Sequence, residues 1–102
     1  MQFLSDIGIS QKTIELIEDQ CVDLELENFE LFKRDLTSSI ELLRSVGVKS
    51  NIIEDILSKD FRVLLSGEKY IKKALDNTGD INTYVNKLNS DFMYYEYLYN
   101  DK

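Results

Sequence analysis

The segment LLRSVGVKSNIIEDILSKDFRVLLSGEKYIKKAL, residues 42–75, decides the fold because the chain contains its pattern twice. Moved by 39 positions, it aligns without a gap with FLSDIGISQKTIELIEDQCVDLELENFELFKRDL, residues 3–36. A fixed period of this size is typical of proteins built from stacked helical units. Eight of the 34 aligned pairs are identical: Leu4/Leu43, Gly8/Gly47, Ile14/Ile53, Glu15/Glu54, Ile17/Ile56, Leu26/Leu65, Lys33/Lys72 and Leu36/Leu75.

Each copy has the signals of three short helices. Gly8 and Gly47 can end the first helix of a unit in a left-handed turn, and Ser10 and Ser50 can cap the next one. Ser38 and Glu41 form a capping-box pattern, which predicts a helix start at the second unit. The fold class predicted is all-α: one domain over 1–102, with repeat units at 3–36 and 42–75 and a pair of capping helices at 80–100.

The composition argues against catalysis. The chain of 102 residues has no histidine, and its one cysteine, Cys21, has no histidine to activate it. The same two facts exclude an intramolecular disulfide and a zinc site of mixed Cys and His ligands. We therefore expect no enzymatic activity and no cofactor. No leader and no apolar run near 18 residues can be recognised, so we expect a cytoplasmic protein without a membrane span.

The net charge of −7 is concentrated in the first 30 residues, which contain eight acidic residues and one basic residue, Lys12. Glu15, Glu18 and Asp19 lie on the predicted second helix and could form a docking surface for a basic partner. The alternative is that these charges only keep a small protein in solution.

Basic residues gather instead in the second unit. Arg62, Lys69, Lys72 and Lys73 could contact phosphate groups, which gives nucleic-acid binding as an alternative function. An ordinary solvated helix face explains the same residues, and the acidic first unit would repel a nucleic-acid backbone.

The C-terminal segment is the strongest functional signal, with five aromatic residues between Phe92 and Tyr99. On an α-helical wheel Phe92, Tyr95 and Tyr99 share the face that can cover a core, whereas Tyr94, Tyr97 and Leu98 point elsewhere. Tyrosine is enriched at the centre of protein interfaces. The predicted protein-binding residues are therefore Tyr94, Tyr97, Leu98, Tyr99, Glu15, Glu18 and Asp19; simple capping of the core is the other interpretation.

The second unit also carries a family resemblance. Its sequence Leu43-Arg-Ser-Val-Gly47-Val48, followed by Ile53, Ile56-Leu57 and Leu64-Leu65, resembles the repeat of the mitochondrial transcription termination factor family. The resemblance implies triple-helical units stacked in a curved array, and nucleic-acid binding if a basic concave face exists. From the residues themselves we expect a non-catalytic binding or regulatory module whose target is another protein or a second copy of this chain.

Overall fold

The computed structural model describes residues 2–21 and 29–99, with the side chains of Cys21, Phe29 and Tyr99 excepted. The predicted all-α class is confirmed, since the described residues form helices and turns without a strand. None of the described helices is long and apolar enough to cross a membrane. The helices are α1 (Gln2–Asp6), α2 (Gln11–Cys21), α3 (Phe29–Ser45), α4 (Ser50–Asp60), α5 (Glu68–Asn77) and α6 (Ile81–Ser90), with two 3₁₀ helices, η1 (Phe61–Ser66) and η2 (Phe92–Tyr99).

Helix α4 is central to the packing. It contacts α2, α3 and η1, and it also contacts η2. Ile53 and Ile56 are fully buried on it, as the apolar pattern predicted. Helix α4 starts at Ser50, 39 positions after the start of α2 at Gln11, which equals the offset between the two sequence copies. The tandem-repeat prediction is compatible with this arrangement.

The two predicted glycine turns have the same geometry. Gly8 has a φ of 88° and Gly47 a φ of 101°, which is left-handed backbone that favours glycine. Ile9 N donates to Leu4 O at 3.0 Å, and the bond from Val48 N to Leu43 O, 39 positions later, is also 3.0 Å long. Similar sequence, with glycine at the same place, has produced the same kind of turn at these two sites.

The boundary predicted between the units does not interrupt the helix. Helix α3 runs from Phe29 to Ser45, so the prediction that Ser38 starts a helix is wrong. Leu36, Ile40 and Leu43 are fully buried along one side of α3, and this packing outweighs the local capping pattern. The buried Ser39 hydroxyl donates to Leu64 O at 2.7 Å and fixes α3 against η1.

Of the two serine caps predicted, the one at Ser10 is present and the one at Ser50 is wrong. Ser10 does cap α2, since Thr13 N donates to its hydroxyl oxygen at 3.4 Å. Ser50, by contrast, is the first residue of α4, and Lys49 takes the cap position without a side-chain hydrogen bond. The Lys49 amide is satisfied from another element, because it donates to Asn89 Oδ1 at 2.9 Å.

The C-terminal segment has a different helix type from the one assumed. Residues Phe92–Tyr99 form a 3₁₀ helix, which has three residues per turn, so side chains three apart lie above one another. Phe92, Tyr95 and Leu98 therefore face the core, and Leu98 is only 4% exposed. The prediction that Leu98 is an exposed binding residue is wrong. Tyr94 and Tyr97 do face outward, with 37% and 54% of their surfaces exposed.

Candidate functional site: two clefts that share a tyrosine pair

The exposed Tyr94 and Tyr97 border the cleft that is the best candidate for a binding site. It lies between the C-terminal end of α5, helix α6 and η2, and its volume is about 440 Å³. We call it the tyrosine cleft; it is lined by Ala74, Asn77, Thr78, Asp80, Thr83, Tyr84, Lys87, Tyr94 and Tyr97. A concave site with aromatic walls and a few polar groups is the usual form of a ligand site.

The tyrosine rings are held in place by contacts with each other. Tyr94 and Tyr97 stack with an interplanar angle of 16° and ring centroids 6.5 Å apart. Tyr97 also forms a T-shaped pair with the buried Tyr84, with the two ring centroids 5.9 Å apart. Tyr84 Oη donates to Tyr94 O at 2.7 Å, which ties α6 to η2. Burial of Tyr84, and secondarily the nearby Tyr97, raises the pKa of its hydroxyl, so Tyr84 stays neutral and keeps donating.

Asp80, which lines the tyrosine cleft, is held in place by two hydrogen bonds at the start of α6. Asp80 caps α6, because its carboxylate accepts from Thr83 N at 3.3 Å and from Thr83 Oγ1 at 2.9 Å. These two bonds lower the pKa of Asp80, which therefore stays ionised at neutral pH. Lys87 lines the same cleft two turns after Asp80, so the cleft offers a charge of each sign.

A second, smaller cleft lies on the other side of the tyrosine pair. Its volume is about 230 Å³, and Asp91, Met93, Tyr94, Glu96 and Tyr97 line it. We call it the acidic-edged cleft, since its charged lining residues are Asp91 and Glu96. Asp91 Oδ1 accepts from Met93 N at 3.0 Å and so begins η2.

The acidic residues of the first unit lie elsewhere. Glu15, Glu18 and Asp19 are all exposed on α2, which contacts α4, and the tyrosines belong to η2, which also contacts α4. Glu18 aligns with Leu57 at the 39-residue offset, and Leu57 is fully buried. An exposed acid at the place of a buried leucine is typical of the polar outer face of a terminal repeat. The two sets of predicted binding residues thus lie on different elements, both of which pack against α4.

Glu54, which aligns with Glu15 at the 39-residue offset, accepts hydrogen bonds that join two helices. Its Oε1 accepts from Ser10 N at 3.0 Å, from Thr13 Oγ1 at 2.7 Å and from the Ser10 hydroxyl. Partial burial opposes its ionisation, but the bonds from Ser10 and Thr13, helped by the charge of Arg44, outweigh it and lower the pKa of Glu54. Glu54 therefore joins α4 to the start of α2, and Asn89 joins α6 to the Gly47–Lys49 turn in a similar way.

The predicted nucleic-acid residues are exposed, and three of the four share one face of a helix. Arg62 is on η1, and Lys69, Lys72 and Lys73 are on α5. Of the four, Lys69 lines a cleft of about 460 Å³ between α3 and α5. This α3–α5 cleft is lined by Arg34, Asp35, Ser38, Ser66, Gly67, Glu68, Lys69 and Tyr70. Its two basic side chains are matched by two acidic ones, and Arg34 pairs with Asp35 at 3.4 Å.

Sequence reasoning found Tyr94 and Tyr97 but missed the remaining walls of their cleft. Tyr84, Lys87 and Asp80 join them because α6 folds back against η2, and no local pattern announces that contact. The three-residue spacing of Phe92, Tyr95 and Leu98 is the signal that would have given the register of η2. The side chain of Tyr99, also predicted to bind, lies outside the described residues.

Neither metal ligands nor known relatives identify the site. Within residues 2–21 and 29–99, no group of three or more His, Cys, Asp or Glu side chains is placed to hold a metal ion. Comparisons with protein-family models, curated proteins and solved structures gave no match to this chain. The case for a function therefore rests on the geometry of the clefts.

Proposed function

We propose that this chain is a non-catalytic protein-binding module of the cytoplasm, and that it holds a peptide segment of a different protein in the tyrosine cleft. The observation that carries the proposal is the position of Tyr94 and Tyr97. Both rings are exposed, and both line two clefts at once. Tyrosine offers large contact area with few rotatable bonds, which is why it is frequent where proteins bind one another.

The burial pattern supports the proposal over simple capping. Phe92, Tyr95 and Leu98 already supply the face of η2 that packs on the core. The Tyr94 and Tyr97 rings contact each other, and Tyr97 contacts Tyr84, but more than a third of both Tyr94 and Tyr97 stays exposed to solvent. Contiguous exposed apolar surface usually marks a contact. Charge favours a foreign partner over a second copy, since two copies would each carry −7.

Selection from a random peptide display library tests this proposal. Peptides enriched on the immobilised wild type are expected to lose binding to the variant Tyr94→Ser/Tyr97→Ser. Tyr70→Ser is the matched control, because Tyr70 is 55% exposed but lies in the α3–α5 cleft. The proposal fails if no peptide is enriched, or if the enriched peptides bind the double variant as well as they bind the wild type. Sedimentation of the wild type tests whether a second copy of the chain occupies the cleft instead of a peptide. A dimer that is lost in the double variant would mean that a second copy fills the cleft.

The acidic residues of α2 have a secondary place in the proposal, as a surface that attracts a basic partner from a distance. Exposed charges steer association over about a Debye length, roughly 8–10 Å at moderate salt. Changing Glu15, Glu18 and Asp19 to lysine is expected to slow association with a basic partner without unfolding the domain. Unchanged association rates would mean that these charges only keep the protein in solution.

The second candidate function, nucleic-acid binding, has one observation in its favour. Arg34 and Lys69 line the α3–α5 cleft beside the exposed ring of Tyr70, and basic groups with an aromatic ring suit a single-stranded nucleic acid. Asp35 and Glu68 in the same cleft cancel that charge, which places this function second. A mobility shift with a single-stranded oligonucleotide tests it: binding that falls with salt and is lost in Arg34→Ala/Lys69→Ala would support it.

A further inference from the structure

The 3₁₀ geometry of η2 arranges its exposed side chains in two rows. Tyr94 and Tyr97 are three residues apart and form one row, as their stacked rings show. Met93 and Glu96, also three apart, form the next row. The acidic-edged cleft lies between the rows, with Asp91 at its beginning. Its volume of about 230 Å³ suits one long side chain rather than a folded element.

Resting on the function proposed above, we propose that the acidic-edged cleft binds an arginine side chain of the partner's peptide segment. A guanidinium group is planar and positively charged, so it can lie against a tyrosine ring while its edge donates to a carboxylate. The stacked pair of Tyr94 and Tyr97 supplies the ring surface, and Asp91 and Glu96 supply the carboxylates. An ammonium group lacks the flat face, which makes arginine the better fit than lysine.

The hydrogen bonds leave these carboxylates available. Asp91 uses Oδ1 to accept from Met93 N, and its Oδ2 accepts no bond from the described part of the chain. Glu96 is exposed, and its carboxylate has no hydrogen-bond partner among those residues either. Two carboxylates and no basic side chain line this small cleft, whereas Lys87 lines the tyrosine cleft. The arginine of the peptide therefore lies in the acidic-edged cleft. The uncharged residues next to it in the peptide lie in the tyrosine cleft, which Lys87 lines.

The test uses two pools of fluorescein-labelled heptapeptides with random flanks and a fixed central residue, arginine in one pool and citrulline in the other. Citrulline keeps the length and planar end of arginine without its charge. Fluorescence anisotropy with the full chain at 50 mM NaCl is expected to show about tenfold tighter binding of the arginine pool, equal to about 1.4 kcal/mol. Higher salt should reduce this difference.

Three variants locate the effect. Glu96→Gln should weaken binding of the arginine pool several-fold and leave the citrulline pool unchanged. Glu41→Gln removes the same charge from the exposed side of α3 and should change neither pool. Tyr97→Phe keeps the aromatic ring and should retain most of the binding.

Two results would overturn the inference. Equal binding of the two pools means that the cleft does not recognise the positive charge; if Tyr94→Ser/Tyr97→Ser still abolishes that binding, the proposed function survives and the arginine site alone fails. An equal loss in Glu96→Gln and Glu41→Gln means that net charge, and not the acidic-edged cleft, attracts the peptide.

Discussion

Replacing Glu54 with glutamine tests the hydrogen bonds that join α4 to the start of α2. Glutamine keeps the shape and an acceptor oxygen but removes the charge that strengthens the bonds from Ser10 N, the Ser10 hydroxyl and Thr13 Oγ1. Bonds to a charged acceptor are about twice as strong as neutral ones, and the net gain of a neutral bond is about 1 kcal/mol. With a discount for the partial exposure of Glu54, we expect a loss of about 1–2 kcal/mol at pH 7.

Urea unfolding and thermal melts measure this loss. For a chain of this length, the expected loss corresponds to a fall in melting temperature of roughly 5–10 °C. Glu15→Gln is the matched control, since Glu15 is the counterpart of Glu54 but is exposed and accepts no hydrogen bond from the described residues. It should stay within about 0.5 kcal/mol of the wild type.

The pH dependence gives the same prediction a second readout. The folded-state pKa of Glu54 is lowered from its ordinary value of 4.5. The stabilisation is therefore complete above pH 4.5 and is lost as the pH falls through the lower, folded-state pKa. The wild type and Glu54→Gln should thus converge in acid. Equal stability at pH 7, or a difference that persists unchanged in acid, would refute the assigned role of the Glu54 charge.

Three further stability predictions follow from burial and hydrogen bonding. Ile56→Ala should destabilise the fold by about 2–4 kcal/mol in urea unfolding, because Ile56 is fully buried, while the exposed Lys72→Ala should stay within about 0.5 kcal/mol; similar losses at both sites would mean that the helix faces are misassigned. Leu98→Ala should cost about 2–3 kcal/mol in the same assay, more than Tyr94→Ala, if η2 has a period of three; a larger loss at Tyr94 would support the α-helical wheel. Tyr84→Phe should cost about 1 kcal/mol below pH 10 by removing the bond to Tyr94 O, and the wild type should lose this advantage as the pH rises further, because the pKa of Tyr84 is raised in the fold; an unchanged Tyr84→Phe midpoint at pH 7 would count against that bond.

The sequence predicted those parts of the fold that depend on local, repeated signals. The 39-residue offset identified the glycine turns at Gly8 and Gly47 and the buried positions of Ile53 and Ile56, because backbone conformation and helix periodicity are written into neighbouring residues. It misplaced a helix start at Ser38, where the burial of Leu36, Ile40 and Leu43 on both sides of the pattern keeps α3 continuous. Tertiary packing decided that case against a local capping signal.

The candidate site was predicted only in part, again because local sequence does not show tertiary packing. Tyr94 and Tyr97 stand out in the sequence as surplus aromatic residues, and both are exposed. Leu98 was assigned to the wrong side because an α-helical period was applied to eight residues that form a 3₁₀ helix. Tyr84 and Lys87 could not be assigned to the cleft at all, since only the contact of α6 with η2 brings them to it.

Amide chemical-shift mapping tests the central claim most directly. A ¹⁵N-labelled sample of the full chain is titrated with a peptide taken from the display selection. The tyrosine cleft predicts saturable shifts concentrated at residues 74–87 and 91–97, with small changes on α2 and in the α3–α5 cleft. Shifts concentrated around Arg34 and Lys69, or spread evenly over the acidic face of α2, would contradict the assignment of the tyrosine pair as the contact surface.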